Sequence, residues 1–330
     1  MKKSGLTKLL IFFILAAYYL LLTTSIFAQS LSLSISPPLL EIVIKPGKST
    51  LIAYSIQNFG DPVVLTPRVV SFEPSDDLGN IKLKEEIEGP VRFNLDNSEI
   101  KLGKPFFLKP KTKEQLLLRI RVPENAPEGD FYYSLILTTN PNLQQNQNTA
   151  AAAQATIAAN ILITITETGK IDIKPKIVYF DIIPRLKLFK KLKIVDSFDK
   201  IPVVLKVENT GKNYVKAAGK IELQGIFGAK ASWKLIPKNI LSSSQRLLVA
   251  SNEAGIKIWK HKKKPVSFIL PASFYFGKYT LRASVNFGEE SPTVLTANTT
   301  FIALPLKLLL ILVGGIGGYL IINKKLKAQS

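Results

Sequence analysis

The sequence predicts an all-β chain built from two tandem β-sandwiches, on three observations. Short segments alternate apolar and polar residues with a period of two, as half-buried antiparallel strands do. Proline, glycine and asparagine bound these segments at spacings of roughly 8–12 residues, which is typical of sandwiches. An internal repeat indicates that one topology is used twice. No amphipathic helix is evident between the two ends of the chain, so a helical fold is excluded.

The alternation is clearest in "LIAYSIQN", "QLLLRIRV" and "ILITIT". Each segment places branched or aromatic residues on one face of a strand, and polar residues such as Arg119 and Arg121 lie on the other face. The residues predicted to face a core are Ile52, Tyr54, Ile56, Leu116, Leu118, Ile120, Val122, Ile161, Ile163 and Ile165.

The repeat is visible at two kinds of turn. "LIAYSIQNFG" ends in Asn58-Phe59-Gly60 and "VVLKVENTG" ends in Asn209-Thr210-Gly211, and an apolar segment follows each turn. Gly129 and Gly277 lie at nearly equal distances beyond the two asparagines. Two turn landmarks at matching offsets predict a pair of Ig-like antiparallel β-sandwiches.

The second landmark opens the strands "GDFYYSLIL" and "GKYTLRASVNF". Glycine supplies the backbone freedom to turn into each strand. Pro123 and Pro127 end the strand before the first of them, because proline cannot donate to a ladder. A tyrosine just after such a corner is expected to hydrogen-bond back across it. We therefore assign these tyrosines to the fold rather than to a ligand site.

The N-terminal end predicts export. Three lysines precede the uncharged run Leu9–Leu22, which has the length and composition of a signal-peptide core. Residues 1–30 are therefore predicted to be a signal peptide, cleaved after Ala28 or after Ser30. The alternative is an uncleaved N-terminal anchor.

The C-terminal end predicts a membrane anchor. The apolar segment at residues 301–323 approaches the ~20 residues of a transmembrane helix. The lysine-rich residues 324–330 fit a short cytoplasmic tail. Gly314 and Gly318 form a GxxxG pair, whose use as a dimer face stays open, and no oligomeric state is predicted.

Between the two ends we predict two domains, residues 31–169 and 170–300, because "TGKIDIKPK" interrupts the strand pattern. The net charge of +20 is concentrated in the second domain, which has 24 basic and 9 acidic residues against 13 and 15 in the first. Within the first domain, Pro74–Lys113 is predicted to be an insertion of short strands. The Gln- and Asn-rich segment Thr139–Ala153 is predicted to be an exposed loop, with a contact role as the alternative.

The segments "SISPPLLEIVIKPGKSTLIAYSIQN", "LKPKTKEQLLLRIRVPENAPEGDFYYSLIL", "IPVVLKVENTG" and "FGKYTLRASVNFG" follow one another between the two predicted targeting segments. In this order they resemble the WxL-interacting proteins of Gram-positive cell surfaces. They also resemble, more widely, bacterial NEW3 and other Ig-like surface domains. The resemblance implies a first domain that binds peptidoglycan and a second that binds a host or partner protein. It carries over no ligand residue.

The sequence argues against an enzyme and predicts no cofactor. Cysteine is absent, which excludes thiolate metal sites and a catalytic cysteine. The single histidine, His261, lies among lysines, so neither a histidine metal cluster nor a Ser-His-acid triad is supported. No glycine-rich phosphate loop is present. Asp76-Asp77 and Glu85-Glu86-Glu88 are assigned to a solvated face, with a loop calcium site as the alternative.

The basic excess is the strongest chemical signal. Two clusters, in "LKLFKKLK" and "KIWKHKKK", are candidate polyanion-binding sites, because a lysine near anionic groups contributes about 1 kcal/mol. The alternative is that these lysines serve only solubility. The low arginine count argues against nucleic acid as a partner. The candidate residues are Lys187, Lys190, Lys191, Lys193, Lys257, Lys260, Lys262, Lys263 and Lys264.

Together these features predict a non-enzymatic, single-pass protein of the cell membrane, with an extracellular or periplasmic ectodomain and a cytoplasmic C-terminus. It is predicted to bind cell-wall polysaccharide or peptidoglycan, or a surface protein, through its Ig-like domains. The alternative is an envelope assembly factor, similar to a PapD-type chaperone, that lends strand edges to secreted subunits.

Overall fold

The computed structural model describes residues 30–139, 154–184, 186–188, 192–226, 228–251, 259–261, 264–271, 273–288 and 292–327. The predicted signal peptide, apart from Ser30, lies outside these residues, as does the predicted loop Thr139–Ala153, apart from Thr139. The regular structure of the described chain is β throughout, apart from one helix at its C-terminal end. The prediction of an all-β fold is therefore confirmed.

The first part of the described chain forms two facing sheets, which we call the first sandwich. Its strands are β1 (Leu33–Ser36), β2 (Leu39–Ile44), β3 (Ser49–Asn58), β4 (Val63–Pro74), β5 (Ile81–Leu83), β6 (Arg92–Leu95), β7 (Phe106–Leu108), β8 (Lys113–Arg121), β9 (Gly129–Thr139) and β10 (Thr156–Ile165). One sheet has the order β1-β3-β8-β6, and the other has the order β2-β10-β9-β4-β5 with β7 paired to β4. Tyr54, Leu118, Tyr133 and Leu135 are fully buried in the core that the two sheets share.

The second part forms a second pair of sheets, the second sandwich. Its strands are β11 (Pro175–Ile182), β12 (Leu186–Leu188), β13 (Leu192–Asp196), β14 (Ile201–Asn209), β15 (Val215–Gly225), β16 (Lys230–Ile240), β17 (Ser244–Leu247), β18 (Trp259–His261), β19 (Lys264–Val266), β20 (Phe268–Leu270), β21 (Gly277–Phe287) and β22 (Thr293–Leu304). One sheet has the order β11-β14-β17 with β20 paired to β14, and the other has the order β12-β13-β22-β21-β15-β16. β18 and β19 form a separate hairpin.

The N-terminal strands of each sandwich divide between its two sheets. β1 pairs antiparallel with β3, whereas β2 crosses to the other sheet and pairs parallel with β10 over residues 160–165. In the same way β11 pairs antiparallel with β14, whereas β13 pairs parallel with β22 over residues 302–304. The two sandwiches therefore share both their strand alternation and this crossing.

The predicted inward residues are all buried, except for Ile52, which is partly buried. Burying one such side chain is worth about 1.5–3 kcal/mol, so the alternating face supplies most of the driving force for each sandwich. β10 departs from simple alternation, because Leu162 and Thr164 on its outer face are buried as well. Both residues lie on the side of the sheet that the second sandwich covers.

Asn58 holds the corner after β3. Its Oδ1 accepts a hydrogen bond from the Gly60 amide at 2.9 Å, and its Nδ2 donates to the Asp61 carbonyl at 2.7 Å. A Cβ at Gly60 would lie 2.0 Å from the Ser30 carbonyl oxygen. Glycine is therefore required at this corner by the close approach of the preceding segment.

Asn209 holds the equivalent corner after β14 with similar bonds. Its Oδ1 accepts from the Gly211 amide at 3.0 Å, and its Nδ2 donates to the Asn213 carbonyl at 2.7 Å. A Cβ at Gly211 would lie 2.3 Å from the Asp172 carbonyl oxygen. The Asn-x-Gly repeat in the sequence thus corresponds to one corner geometry that is used in both sandwiches.

The two corner tyrosines differ. Tyr279 Oη accepts from the Phe276 amide at 3.3 Å, back across its own corner, as expected from the sequence. Tyr133 Oη instead donates to the Glu88 carbonyl at 2.9 Å, in the segment between β5 and β6. Tyr133 therefore ties this inserted segment, rather than its own corner, to the first sandwich.

The buried Tyr133 predicts a loss of stability at alkaline pH. Burial raises the pKa of Tyr133 to about 12, above the ~10 of an unfolded tyrosine. A group that keeps its proton longer in the folded state stabilises the fold fully below about pH 10, and this contribution is lost as the pH rises toward its folded pKa. In urea titrations from about pH 9 to 12, we expect the free energy of unfolding to fall more steeply for the wild type than for Tyr133→Phe. Parallel curves would contradict the assignment.

The inserted segment contains β5, β6 and β7, as predicted for short strands between Pro74 and Lys113. Asp76 closes the turn after β4, where its Oδ1 accepts from the amides of Leu78, Gly79 and Asn80 at 2.9–3.0 Å. Burial acts to raise the pKa of Asp76, but hydrogen bonds from Asn80, Leu78 and Gly79 outweigh it and leave the pKa lowered. This carboxylate is therefore used by its own turn.

The C-terminal helix α1 (Leu306–Lys327) corrects the predicted membrane topology. Within the described part of the chain, no helix has the length and apolar character needed to cross a membrane. Residues 301–304 belong to β22, and lysines at both ends of α1 leave an uncharged stretch shorter than the ~20 residues of a span. The predicted transmembrane helix at residues 301–323, and with it the single-pass localisation and the cytoplasmic tail at residues 324–330, are wrong.

Candidate functional site

Of the nine candidate polyanion-binding lysines, Lys193 is the one whose side chain the structure describes. Its Nζ lies 2.6 Å from Asp181 Oδ1 and 2.7 Å from Thr299 Oγ1. Lys193 therefore links β13 to β11 and β22 inside the sandwich, and its charge is already paired. Three others, Lys187, Lys260 and Lys264, lie in β12, β18 and β19, and their side chains are outside the described residues. Also outside are Lys190, Lys191, Lys257, Lys262 and Lys263.

His261 lies at the end of β18 and lines a recess with Asp199 and Lys200. Among the described residues, no group of three or more histidine, aspartate or glutamate side chains is arranged to hold a metal ion. The remaining candidate sites in the described part of the chain are its sheet edges and the junction between the sandwiches.

The last strand of each sandwich has an outer edge that described residues cover only in part. β22 pairs with β21 from Thr293 to Ala303 on one side; on its other side it pairs with β13 only at residues 302–304, and β11 lies beside it without pairing. In β10, Thr156–Ala159 likewise lies before the first residue that pairs with β2. Backbone N–H and C=O groups along such an edge can pair with another strand.

The open half of β22 is defined here as Thr293–Asn298, the residues before Thr299, where Lys193 approaches. Its sequence, "TVLTAN", contains no charge and no proline. Val294, Thr296 and Asn298 are exposed on its outer face. The open half of β22 therefore lacks the charged residues and proline that commonly prevent edge pairing, although β11 lies beside this strand.

The opposite edge of the same sheet is protected. β16 ends the sheet and carries Lys230, Lys234, Pro237 and Lys238 along its length. Lysine and proline on an edge strand discourage the addition of a further strand. The contrast between the two edges of one sheet singles out β22 as the receptive edge.

Asp130 joins the two sandwiches. Within the first sandwich its carboxylate accepts from Thr164 Oγ1 at 2.7 Å and from Tyr132 Oη at 3.0 Å. From the second sandwich it accepts from Asn213 Nδ2 at 2.8 Å and from the backbone amide of Tyr214. Four donors thus converge on one carboxylate, and the orientation of the two sandwiches is fixed by directional bonds.

Further contacts flank this junction. The Ser242 amide donates to Tyr132 Oη at 2.9 Å. On the other side, the Leu247 amide donates to the Asp77 carbonyl at 2.6 Å, and Lys206 forms an ion pair with the Asp77 carboxylate. The turn after β4 is therefore bonded to β14 and β17 of the second sandwich.

Comparisons with known proteins give no family for the chain. No family model and no curated protein sequence matches it. Among solved structures, the chain is similar to the class 5 fimbriae chaperone CfaA, with a TM-score of 0.37 and 10% identity over 80% of this chain and 98% of that one. It is also similar to the E. coli chaperone DraB, with a TM-score of 0.34 and 12% identity over 83% and 98% of the two chains. A third similar structure is a Salmonella enterica complex of SafA pilin with the SafB chaperone, with a TM-score of 0.37 and 11% identity over 82% of this chain and 99% of that one. Similarity at this level decides neither the fold nor the function.

Sequence reasoning missed the junction. Asp130 stands between the corner glycine and the aromatic residues of β9, where the second sandwich has Lys278. Its partners Asn213 and Tyr214 follow the Asn209 corner and are distant in sequence. The sequence signal for this junction was the difference in charge between Asp130 and Lys278, which occupy equivalent positions of the repeat.

Proposed function

We propose that this chain is a non-enzymatic binding protein that pairs, by strand addition, with an extended segment of a partner protein. The observation that carries the proposal is the open half of β22, which carries no charge or proline and forms no ladder with a described strand on its outer side, although β11 lies beside it. A partner segment would gain backbone hydrogen bonds along this edge. Its alternate side chains would contact Val294, Thr296 and Asn298 on the outer face.

We propose further that both sandwiches are Ig-like and that residues 31–169 and 170–300 are separate domains. The shared crossing of the N-terminal strands and the shared Asn-x-Gly corners support this division. The partly open edge of β10 repeats that of β22, so a strand-accepting edge accompanies the topology in each sandwich. Membership of the WxL-interacting family remains a proposal beside it.

A partner protein is favoured over a cell-wall polymer as the ligand because of the contacts of Lys193. A polyanion-binding face requires free cations, and this lysine is bonded to Asp181 and Thr299. Binding of cell-wall polymer through the remaining candidate lysines stays a prediction.

Strand addition is tested by selecting nine-residue peptides from a displayed library on the purified chain. We expect enrichment of peptides that alternate apolar and polar residues, and protection of the Val294–Asn298 amides from hydrogen exchange when they bind. Thr296→Lys/Asn298→Lys adds charge to exposed positions, so the fold should be retained and binding should weaken by about tenfold or more, equivalent to about 1.4 kcal/mol.

Lys234→Thr provides the matched control, because it changes an exposed lysine on the protected edge of the same sheet. Its affinity for the selected peptides should equal that of the wild type. Selected peptides that bind equally well to the wild type and to Thr296→Lys/Asn298→Lys would overturn the proposal, as would protection confined to other strands.

A further inference from the structure

A cleft of about 500 Å³ lies between the two sandwiches. The first sandwich contributes residues of β2, β4 and β10 to it, and the second contributes residues of β15, β16 and β17. Leu39, Phe72 and Leu162 form an apolar part of its wall, and uncharged polar and charged side chains line much of the rest. Small-molecule sites of roughly 300–1,000 Å³ with this mixture occur preferentially at domain interfaces.

The acidic side chains that line this cleft, Glu41 and Asp76, and the neighbouring Asp77 are already bonded within the protein. Glu41 lies 3.8 Å from Lys216 Nζ and accepts a hydrogen bond from Asn239 Nδ2. Asp76 is occupied by the amides of its own turn, and Asp77 pairs with Lys206. These carboxylates therefore already have partners within the protein, and a bound ligand would not need to replace those partners.

Arg246 differs from these groups. Its Nε is buried without a hydrogen-bond acceptor, and no described residue forms a hydrogen bond or an ion pair with its guanidinium. The group lies against Gly79, where a Cβ would fall 1.3 Å from Arg246 Nη1. Burial lowers the pKa of Arg246, and the nearby charges of Asp76 and Asp77 offset this only in part. A partly buried guanidinium whose Nε has no acceptor is an incomplete site, because its donors form a planar fork suited to an oxyanion.

Lys238 lines the same cleft, and its ammonium group likewise has no hydrogen bond or ion pair with a described residue. Two cations that lack partners thus share one partly apolar cleft with acids that are already paired. The net effect is a local excess of positive charge, which attracts anions.

We propose that this cleft binds an oxyanion, a carboxylate or a phosphate, through the Arg246 guanidinium, with Lys238 adding charge. The apolar wall at Leu39, Phe72 and Leu162 suits a ligand whose anionic group is attached to a small apolar body. This site is separate from the open half of β22, so the proposal of anion binding does not depend on the proposal of strand addition.

The test uses the full chain at constant ionic strength, titrated with inorganic phosphate, with hexanoate and with the neutral analogue hexanol. Thermal unfolding and amide chemical shifts report binding, since a ligand that binds only the folded state raises the unfolding temperature. We expect saturable binding of at least one anion, with shifts at cleft residues and none with hexanol. Tighter binding of hexanoate than of phosphate would assign the site to carboxylates on an apolar body, and the reverse would assign it to phosphates.

Arg246→Gln should weaken anion binding by about tenfold or more, whereas Arg282→Gln, an exposed arginine on β21, should leave it unchanged. Without anion, Arg246→Gln should unfold at the same or a higher temperature than the wild type, because it removes a partly buried charge that makes no hydrogen bond or ion pair with a described residue. Three results would overturn the proposal: non-saturable shifts, equal binding by Arg246→Gln, or a lower unfolding temperature of that variant without anion, which would make Arg246 a structural clamp.

Discussion

Replacing Asp130 by alanine is expected to lower the free energy of unfolding by about 4 kcal/mol and to release the two sandwiches from their fixed orientation. Four donors lose their acceptor, namely Thr164 Oγ1, Tyr132 Oη, Asn213 Nδ2 and the Tyr214 amide. Hydrogen bonds to a charged group are worth about 1.5–3 kcal/mol each, and water entering the junction would recover part of the total. Urea denaturation measures the loss of stability, and small-angle X-ray scattering should show a larger radius of gyration.

Asp61→Ala is the matched control for this prediction. Asp61 is an exposed carboxylate of the same sandwich and accepts from the Ser30 amide at 2.8 Å, away from the junction. Its removal should cost about 1 kcal/mol or less and leave the scattering curve unchanged. If Asp130→Ala gave the wild-type scattering curve, the two sandwiches would be held together by contacts other than this carboxylate.

The sequence was sufficient for the parts of the fold that depend on local pattern. Period-2 alternation identified the core-facing residues correctly, and the Asn-x-Gly corners were visible because each requires a glycine next to a particular backbone. The burial of Leu162 and Thr164 was not predictable, because it depends on the second sandwich covering β10. The C-terminal segment was wrongly predicted, since part of its apolar run completes β22 instead of a membrane span.

The candidate sites were much less predictable than the fold. Local sequence shows that Lys193 belongs to a basic cluster, but not that Asp181 and Thr299 lie beside it. No sequence feature distinguishes Arg246, which is an isolated arginine in a lysine-rich chain. Its significance comes from its position in a cleft where the acids are bonded elsewhere, and that depends on long-range packing. The open half of β22 was equally hidden, because an edge is a property of the sheet and not of the strand.

Replacing Asn209 by alanine is expected to destabilise the chain by about 3 kcal/mol, because it leaves buried backbone groups without partners. Asn209 is fully buried and bonds to the Gly211 amide, to the Lys174 amide at 3.2 Å and to the Asn213 carbonyl. The last of these bonds gives the substitution a second effect, because Asn213 donates to Asp130 across the junction. Asn209→Ala should therefore loosen the junction as well as its own corner, which combined denaturation and scattering measurements detect.

A double-mutant cycle separates these two effects. The losses of unfolding free energy caused by Asn209→Ala and Asp130→Ala should be less than additive by about 1 kcal/mol, because each substitution loosens a contact through which the other acts. Asn58→Ala is the matched control, since it removes the equivalent corner of the first sandwich, which is bonded to Gly60 and Asp61 and makes no contact with the junction. Asn58→Ala and Asp130→Ala should then be additive within about 0.5 kcal/mol. Additivity in both cycles would show that the second corner stabilises only its own sandwich, and that the orientation of the two sandwiches is set by Asp130 without it.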